Sequence, residues 1–165
     1  MAECSLVCDT TVLLYLGRID QIELLSALFP RVCVPTPVLL ELDMGRVVRP
    51  DTIDPQGFAW ISPVSVSQAM FDGLPPNRLG VGEQAAIAYA HTCRNCLVGL
   101  DDLRARRLAE SLGLRVVGTL GVLLRAKRAG LIPAVRSLLD AVVAQGFHLA
   151  PELYQDVLRL ADEAS

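Results

Sequence analysis

The stretch Leu97-Val98-Gly99-Leu100-Asp101-Asp102 decides how the rest of the chain is read. A short apolar run, the length of a buried parallel strand, ends abruptly in two adjacent carboxylates. Gly99 is too small to shield these acids, and an Arg-rich helix candidate begins at Arg104. In open α/β sheets, ligands sit outside the carboxyl ends of the strands, so acids placed there face a crevice rather than the core. One of the two would suffice as a helix cap, which leaves the other to be explained.

Working outward, Ser5-Leu6-Val7-Cys8 reads as a second buried strand closed by Asp9. Thr10 and Thr11 are expected to cap the next helix, which stops at Gly17. A helix is expected from Gln21 to Leu28, then a strand at Val32-Cys33-Val34. Pro35 and Pro37 lead into a helix from Val38 to Met44, with Glu41 midway. Between Gly45 and Gly80 prolines break regularity; Phe58-Ala59-Trp60-Ile61 is the expected edge strand, and Val66 to Phe71 a short helix. Gly82-Glu83 opens an Ala-rich helix from Gln84 to Thr92. Arg115-Val116-Val117 reads as the last strand, ending at Gly118-Thr119. Further helices are expected from Leu103 to Leu112, Leu120 to Ala129, Ala134 to Gln145 and Glu152 to Glu163. Strands alternating with helices predict a parallel sheet covered on both faces.

The 165 residues, 52% of them hydrophobic, suffice for one full core and argue against disorder. The whole chain, 1–165, is therefore expected to form a single domain, with 45–80 an elaborated connection inside it. A net charge of -3 gives no global attraction to nucleic acid, so any such contact must come from a local patch. Five cysteines, an odd number, suit reduced thiols and a cytoplasmic protein better than a disulfide framework. No apolar run reaches the length of a membrane span, so no membrane partner is expected.

Four carboxylates stand out by position. Asp9 and Asp101 end buried strands, and lie at one edge of the sheet if those strands are parallel neighbours. Glu83 sits in the first turn of a helix behind two glycines, and Glu41 on a helix whose inner face is otherwise apolar. Singly, each has an ordinary reading as a cap, a helix-dipole complement or a solvated side chain. Together they are more informative. Two carboxylates about 5 Å apart repel by roughly 3 kcal/mol at an effective dielectric near 20. Four converging would need protonation or a divalent cation among them. Oxygen ligands without His or Cys select Mg²⁺ or Mn²⁺, which suit activation of water against a phosphodiester.

The basic counterpart is local. Between Leu103 and Leu139 lie Arg104, Arg106, Arg107, Arg115, Arg125, Lys127, Arg128 and Arg136, with Glu110 as the lone acid. Arginine grips phosphate bidentately, so a basic zone beside an acidic pocket is what a nuclease needs. Arg104, Arg106, Arg107 and Lys127 are the expected nucleic-acid contacts.

These residues carry a resemblance that runs nearly end to end. It covers Val7-Cys8-Asp9-Thr10-Thr11, Val34-Pro35-Thr36-Pro37-Val38-Leu39-Leu40-Glu41-Leu42 and Gly82-Glu83-Gln84-Ala85-Ala86-Ile87-Ala88. It continues through Leu100-Asp101-Asp102 with Ala105-Arg106, and Gly118-Thr119-Leu120-Gly121 with Ala126-Lys127 and Gly130. In order and spacing the chain resembles the PIN-like domain superfamily of metal-dependent ribonucleases, in a branch related to VapC-type toxins. The resemblance implies a three-layer α/β/α fold with a central five-stranded parallel sheet. It places the catalytic acids on Asp9, Glu41, Glu83 and Asp101, with Asp9, Glu83 and Asp101 holding Mg²⁺ or Mn²⁺. Asp102 and Thr119 would be accessory: Asp102 as cap of the Arg-rich helix, Thr119 as a hydroxyl beside the metal. Gly99 stands where the family often has a small hydroxyl residue. The implied activity is cleavage of single-stranded RNA leaving a 5′-phosphate and a 3′-hydroxyl. An antitoxin protein and a second copy of the chain are the implied partners.

Other signals are weaker. Cys93-Arg94-Asn95-Cys96 lacks the second pair that a zinc site needs, and falls where a helix meets a strand. His148 comes after Gly146-Phe147 with no visible partner, and no phosphate-binding loop is present. The alternative is a PIN-like module without catalysis that binds RNA or protein. The intact acid set argues against it.

Overall fold

The computed structural model describes residues 5–93 and 95–164. Cys4 and Arg94, which bear on the cysteine count and on the Cys93-to-Cys96 motif, lie outside them. Strands β1 (Leu6–Cys8), β2 (Val32–Pro35), β3 (Ile61–Val64), β4 (Leu97–Gly99) and β5 (Arg115–Val117) form one parallel sheet in the order β3-β2-β1-β4-β5. Helices α1 (Thr10–Arg18), α2 (Glu23–Leu28), α3 (Thr36–Val48), α4 (Gln68–Asp72) and α5 (Val81–Thr92) come in the first part of the chain. After them come α6 (Leu103–Ser111), α7 (Thr119–Arg128), α8 (Arg136–Ala144) and α9 (Pro151–Leu160). The architecture is the expected three-layer α/β/α fold around a five-stranded parallel sheet.

The layers arise from the pleat, since successive strand side chains point to opposite faces. On β1, Leu6 and Cys8 join a core with Val12, Leu13 and Leu16 of α1, Val122 and Leu123 of α7, and Val157 and Leu158 of α9. Val7 points the other way, into a core with Ala86, Ile87 and Ala90 of α5 and Ala105 and Ala109 of α6. Burial on both faces is why these strands read as unbroken apolar runs. Each fully buried leucine, such as Leu13 or Leu16, contributes roughly 2 kcal/mol.

Two expectations shift. The third strand is Ile61–Val64, not Phe58 to Ile61, and Pro63 lies inside it, opposite Val34. β3 is the edge strand predicted, and an edge tolerates a residue with no N–H to donate. Phe58 and Trp60 instead pack on each other, ring centroids 5.5 Å apart, against the first core. Helix α1 starts at Thr10 with Asp9 in the N-cap position and no capping side chain, so neither threonine caps it. The 45–80 connection is tied down by Arg46, whose Nη1 donates to the Ile53 carbonyl at 3.0 Å, and by Trp60, whose Nε1 donates to Glu23 at 3.0 Å. Among the described cysteines, Cys8, Cys33 and Cys96 are buried and Cys93 is half-buried. No helix among them is long and apolar enough to cross a membrane.

Candidate active site

β1 and β4 are parallel neighbours in register, Leu6 opposite Leu97, Val7 opposite Val98 and Cys8 opposite Gly99. Asp9 and Asp101 therefore leave the sheet at its same, carboxyl edge. The Asp9 N–H donates to the Gly99 carbonyl at 3.1 Å, which extends the ladder by one step. Gly99 faces Cys8 closely, and a side-chain carbon there would meet Cys8 Sγ at 3.4 Å.

Asp9, Glu41, Glu83, Asp101 and Asp102 line one cleft of about 650 Å³, together with Thr10, Thr11, Gly80 and a wall that includes Tyr15. Asp9 lies at its floor, 2% exposed, and its Oδ1 is buried with no hydrogen-bond partner. Burial pushes its pKa up to about 7, opposed by the Thr10 N–H and reinforced by the charges of Glu83, Glu41 and Asp101. Burial likewise raises the pKa of Asp101, against the lowering effect of Thr119 and Arg106. Glu83 is raised by burial, with the Gly80 N–H opposing and Asp102 adding.

The other acids are each held by a hydrogen-bond partner of their own. Glu41 Oε1 accepts from the Gly82 N–H at 2.9 Å, and Oε2 accepts from the Thr10 hydroxyl. Glu83, third residue of α5, reaches back to the Gly80 N–H at 3.2 Å, the return half of a capping box. Asp101 is gripped twice by Thr119, whose N–H donates to Oδ1 and whose hydroxyl donates to Oδ2, each at 2.7 Å. Among the described residues no group of three or more His, Cys, Asp or Glu is placed to hold a metal ion. What a cation would complete is Asp9, whose orphaned oxygen has like charges nearby and a raised pKa. A buried carboxylate with one unpartnered oxygen fits a divalent ion chemically.

Asp102 is the N-cap of α6, its Oδ1 accepting from the N–H groups of Arg104 at 2.9 Å and Ala105 at 3.1 Å. The two adjacent carboxylates thus face different duties, as their order along the chain implies. Thr119 is fully buried, and its hydroxyl is committed to Asp101.

The basic residues divide. Arg104 and Arg107 are exposed on α6, Arg104 with Nε 3.7 Å from Asp102. Arg106 is half-buried, its Nη1 donating to the Leu100 carbonyl at 3.1 Å and lying where a side chain at Gly118 would have to go. Lys127 is placed elsewhere: its Nζ donates to the Ala161 carbonyl and to Glu163, each at 3.0 Å, tying α7 to the C-terminal turn. It lines neither the acid cleft nor the groove beside it. His148, set aside in the sequence for want of a partner, and Phe147, not singled out there, line the cleft from the loop after α8.

A parallel sheet in this order, with four acids at its carboxyl edge facing one cleft, defines a PIN-like domain. The chain belongs to that superfamily: a family model described as a PIN domain, DUF3368, matches residues 5–163. No curated protein matches the chain.

Proposed function

We propose that the chain is a Mg²⁺- or Mn²⁺-dependent endoribonuclease of PIN type, hydrolysing phosphodiester bonds of single-stranded RNA. The observation that carries this reading is Asp9, buried with an unpartnered oxygen at the floor of a cleft lined by Glu41, Glu83 and Asp101. Asp9, Glu83 and Asp101 would hold the ion. It would supply Lewis-acid charge at the phosphate and a more acidic water. Burial and the chain's own ladder fix Asp9, and Thr119 aims Asp101. Glu41, anchored by Gly82, lies on the α3 side of the cleft, where it can orient an attacking water or accept its proton. Arg104 and Arg107 at the start of α6 offer bidentate grips for flanking phosphates. The finer placement, a toxin of the VapC-related branch with an antitoxin partner and a dimeric assembly, belongs to the same proposal.

A second reading, a PIN module that binds RNA or protein without cutting, draws on one observation. Glu41, Glu83 and Asp101 each accept hydrogen bonds from the protein itself, and no three His, Cys, Asp or Glu among the described residues are placed to hold a metal. Incubation of single-stranded RNA with Mn²⁺ separates the two. We expect cleavage by the native chain, none in EDTA, and at most about 1% of the rate in Asp101→Asn. RNA bound but left intact would establish the second reading. Equal cleavage by Asp101→Asn would assign the activity to another site.

A further inference from the structure

The acid cleft has a second wall of different chemistry. Phe147 and His148, on the loop between α8 and α9, line it together with Leu14 and Tyr15. The Phe147 ring meets Tyr15 edge-on, with centroids 5.0 Å apart and planes at 84°. Gly146, with φ of +97°, makes the turn that delivers them, and the Phe147 N–H closes the end of α8 on the Val142 carbonyl at 3.1 Å. Phe147 is thereby anchored at both backbone and ring, while His148 is exposed beside it.

The same two residues, with Asp101, also line a longer groove of about 1120 Å³ that runs beside α6, α7 and α9. Its apolar lining includes Leu120, Leu124 and Val157. Arg125 and Arg128 line it too, both exposed, and no carboxylate among the described residues forms an ion pair with either. The acid cleft and the groove are therefore neighbours that share Asp101, Phe147 and His148 in their walls.

A nucleic-acid strand alternates flat, apolar-faced bases with anionic linkers, which matches rings and apolar lining beside unpaired guanidinium groups. Stacking on aromatic rings tolerates any sequence, but the base must be unpaired to offer its face. An acidic amphipathic helix would also satisfy the arginines and the apolar lining. It would leave unexplained why the groove shares Phe147, His148 and Asp101 with the acid cleft.

We propose that Phe147 and His148 form a nucleobase subsite that stacks the unpaired base next to the phosphate at the acids, with the strand continuing along Arg125 and Arg128. This rests on the nuclease reading and adds to its single-stranded substrate the ring and backbone contacts that hold the strand.

The test measures affinity of an end-labelled ten-nucleotide single-stranded RNA in EDTA, so that binding is read without cleavage. His148→Ala and Phe147→Ala are each expected to weaken binding about tenfold, with Phe147→Trp near native. The double variant R125E/R128E should weaken it further and flatten its salt dependence. A duplex of the same sequence should compete poorly. His148 is exposed and Phe147→Trp keeps the ring, so loss of folding does not confound both positions. RNA affinity indifferent to His148→Ala, Phe147→Ala and R125E/R128E would overturn the proposal and leave the groove to an acidic polypeptide. Cleavage in Mn²⁺ is scored separately. Binding with these dependences but no cleavage defeats the nuclease reading alone, whereas cleavage unaffected by these substitutions defeats the subsite alone.

Discussion

Glu41 and Gly82 occupy one small volume: a side-chain carbon built on Gly82 would lie 2.6 to 2.8 Å from the Glu41 carboxyl group, which already accepts the Gly82 N–H. The pairing joins α3 to the first turn of α5 at the cleft and requires a residue without a side chain. Gly82→Ala should push the flexible Glu41 head aside at little cost in stability, because only the tip of that side chain must move. RNA cleavage should fall about a hundredfold, the scale of a 1 Å misplacement in an active site. A thermal melt and an initial rate with Mn²⁺ check both halves, and an unchanged rate would remove Glu41 from the site.

Thr119 should matter through its hydroxyl. Thr119→Val keeps the shape but leaves Asp101 Oδ2 without its donor, which costs roughly 1–3 kcal/mol when the group stays buried. Loss of such an orienting partner lowers activity or metal affinity by about 10- to 100-fold. Thr119→Ser should restore most of it. The expected signature is a higher Mn²⁺ requirement in the valine variant, read from rate against metal concentration.

Asp9 makes a pH prediction. Its pKa is raised to about 7 in the folded protein, above the ordinary carboxylate range. The folded chain thus holds a proton that the unfolded chain releases between roughly pH 4 and pH 7. That contribution to stability is full below the lower value and is lost as pH rises through the upper one. Asp9→Asn, which cannot ionise, should melt higher than the native chain at pH 8, by on the order of 5 °C, and close to it at pH 4. Mn²⁺ should raise the native melting temperature at pH 8 and leave Asp9→Asn nearly unmoved. An Asn variant that melts lower at pH 8 would contradict the account.

Asp102 separates from its neighbour. Asp102→Ala removes the cap of α6 and should cost about 1 kcal/mol, or a few degrees of melting temperature. Its cleavage rate should stay within a few-fold of native. Asp101→Asn should show the opposite pattern, with stability largely kept and activity lost.

The acidic edge was legible because the strands end abruptly. A buried parallel strand has no local use for a carboxylate, so Asp9 and Asp101 stood out against Leu6-Val7-Cys8 and Leu97-Val98-Gly99. Their shared edge needed only that β1 and β4 be parallel neighbours, which they are. The strand near Phe58 was misplaced by three residues. Aromatic composition imitates strand propensity, and Pro63 reads as a breaker until it is known to lie on an edge. The attachments of Thr10 to Glu41, Thr119 to Asp101 and Lys127 to Glu163 are long-range, and no local pattern announces them. Phe147 and His148 reach the cleft of Asp9 from the far end of the chain, and nothing around them repeats or pairs in the sequence.

Both borders of the sheet carry a residue that discourages a further strand. On one side Pro63, which has no N–H to donate, stands within β3; on the other, β5 opens with the exposed Arg115. Exposed strand borders recruit neighbouring chains into ribbons and fibrils, and proline or a charge at the border suppresses this. Strand addition between crowded copies of this protein is therefore discouraged at both borders.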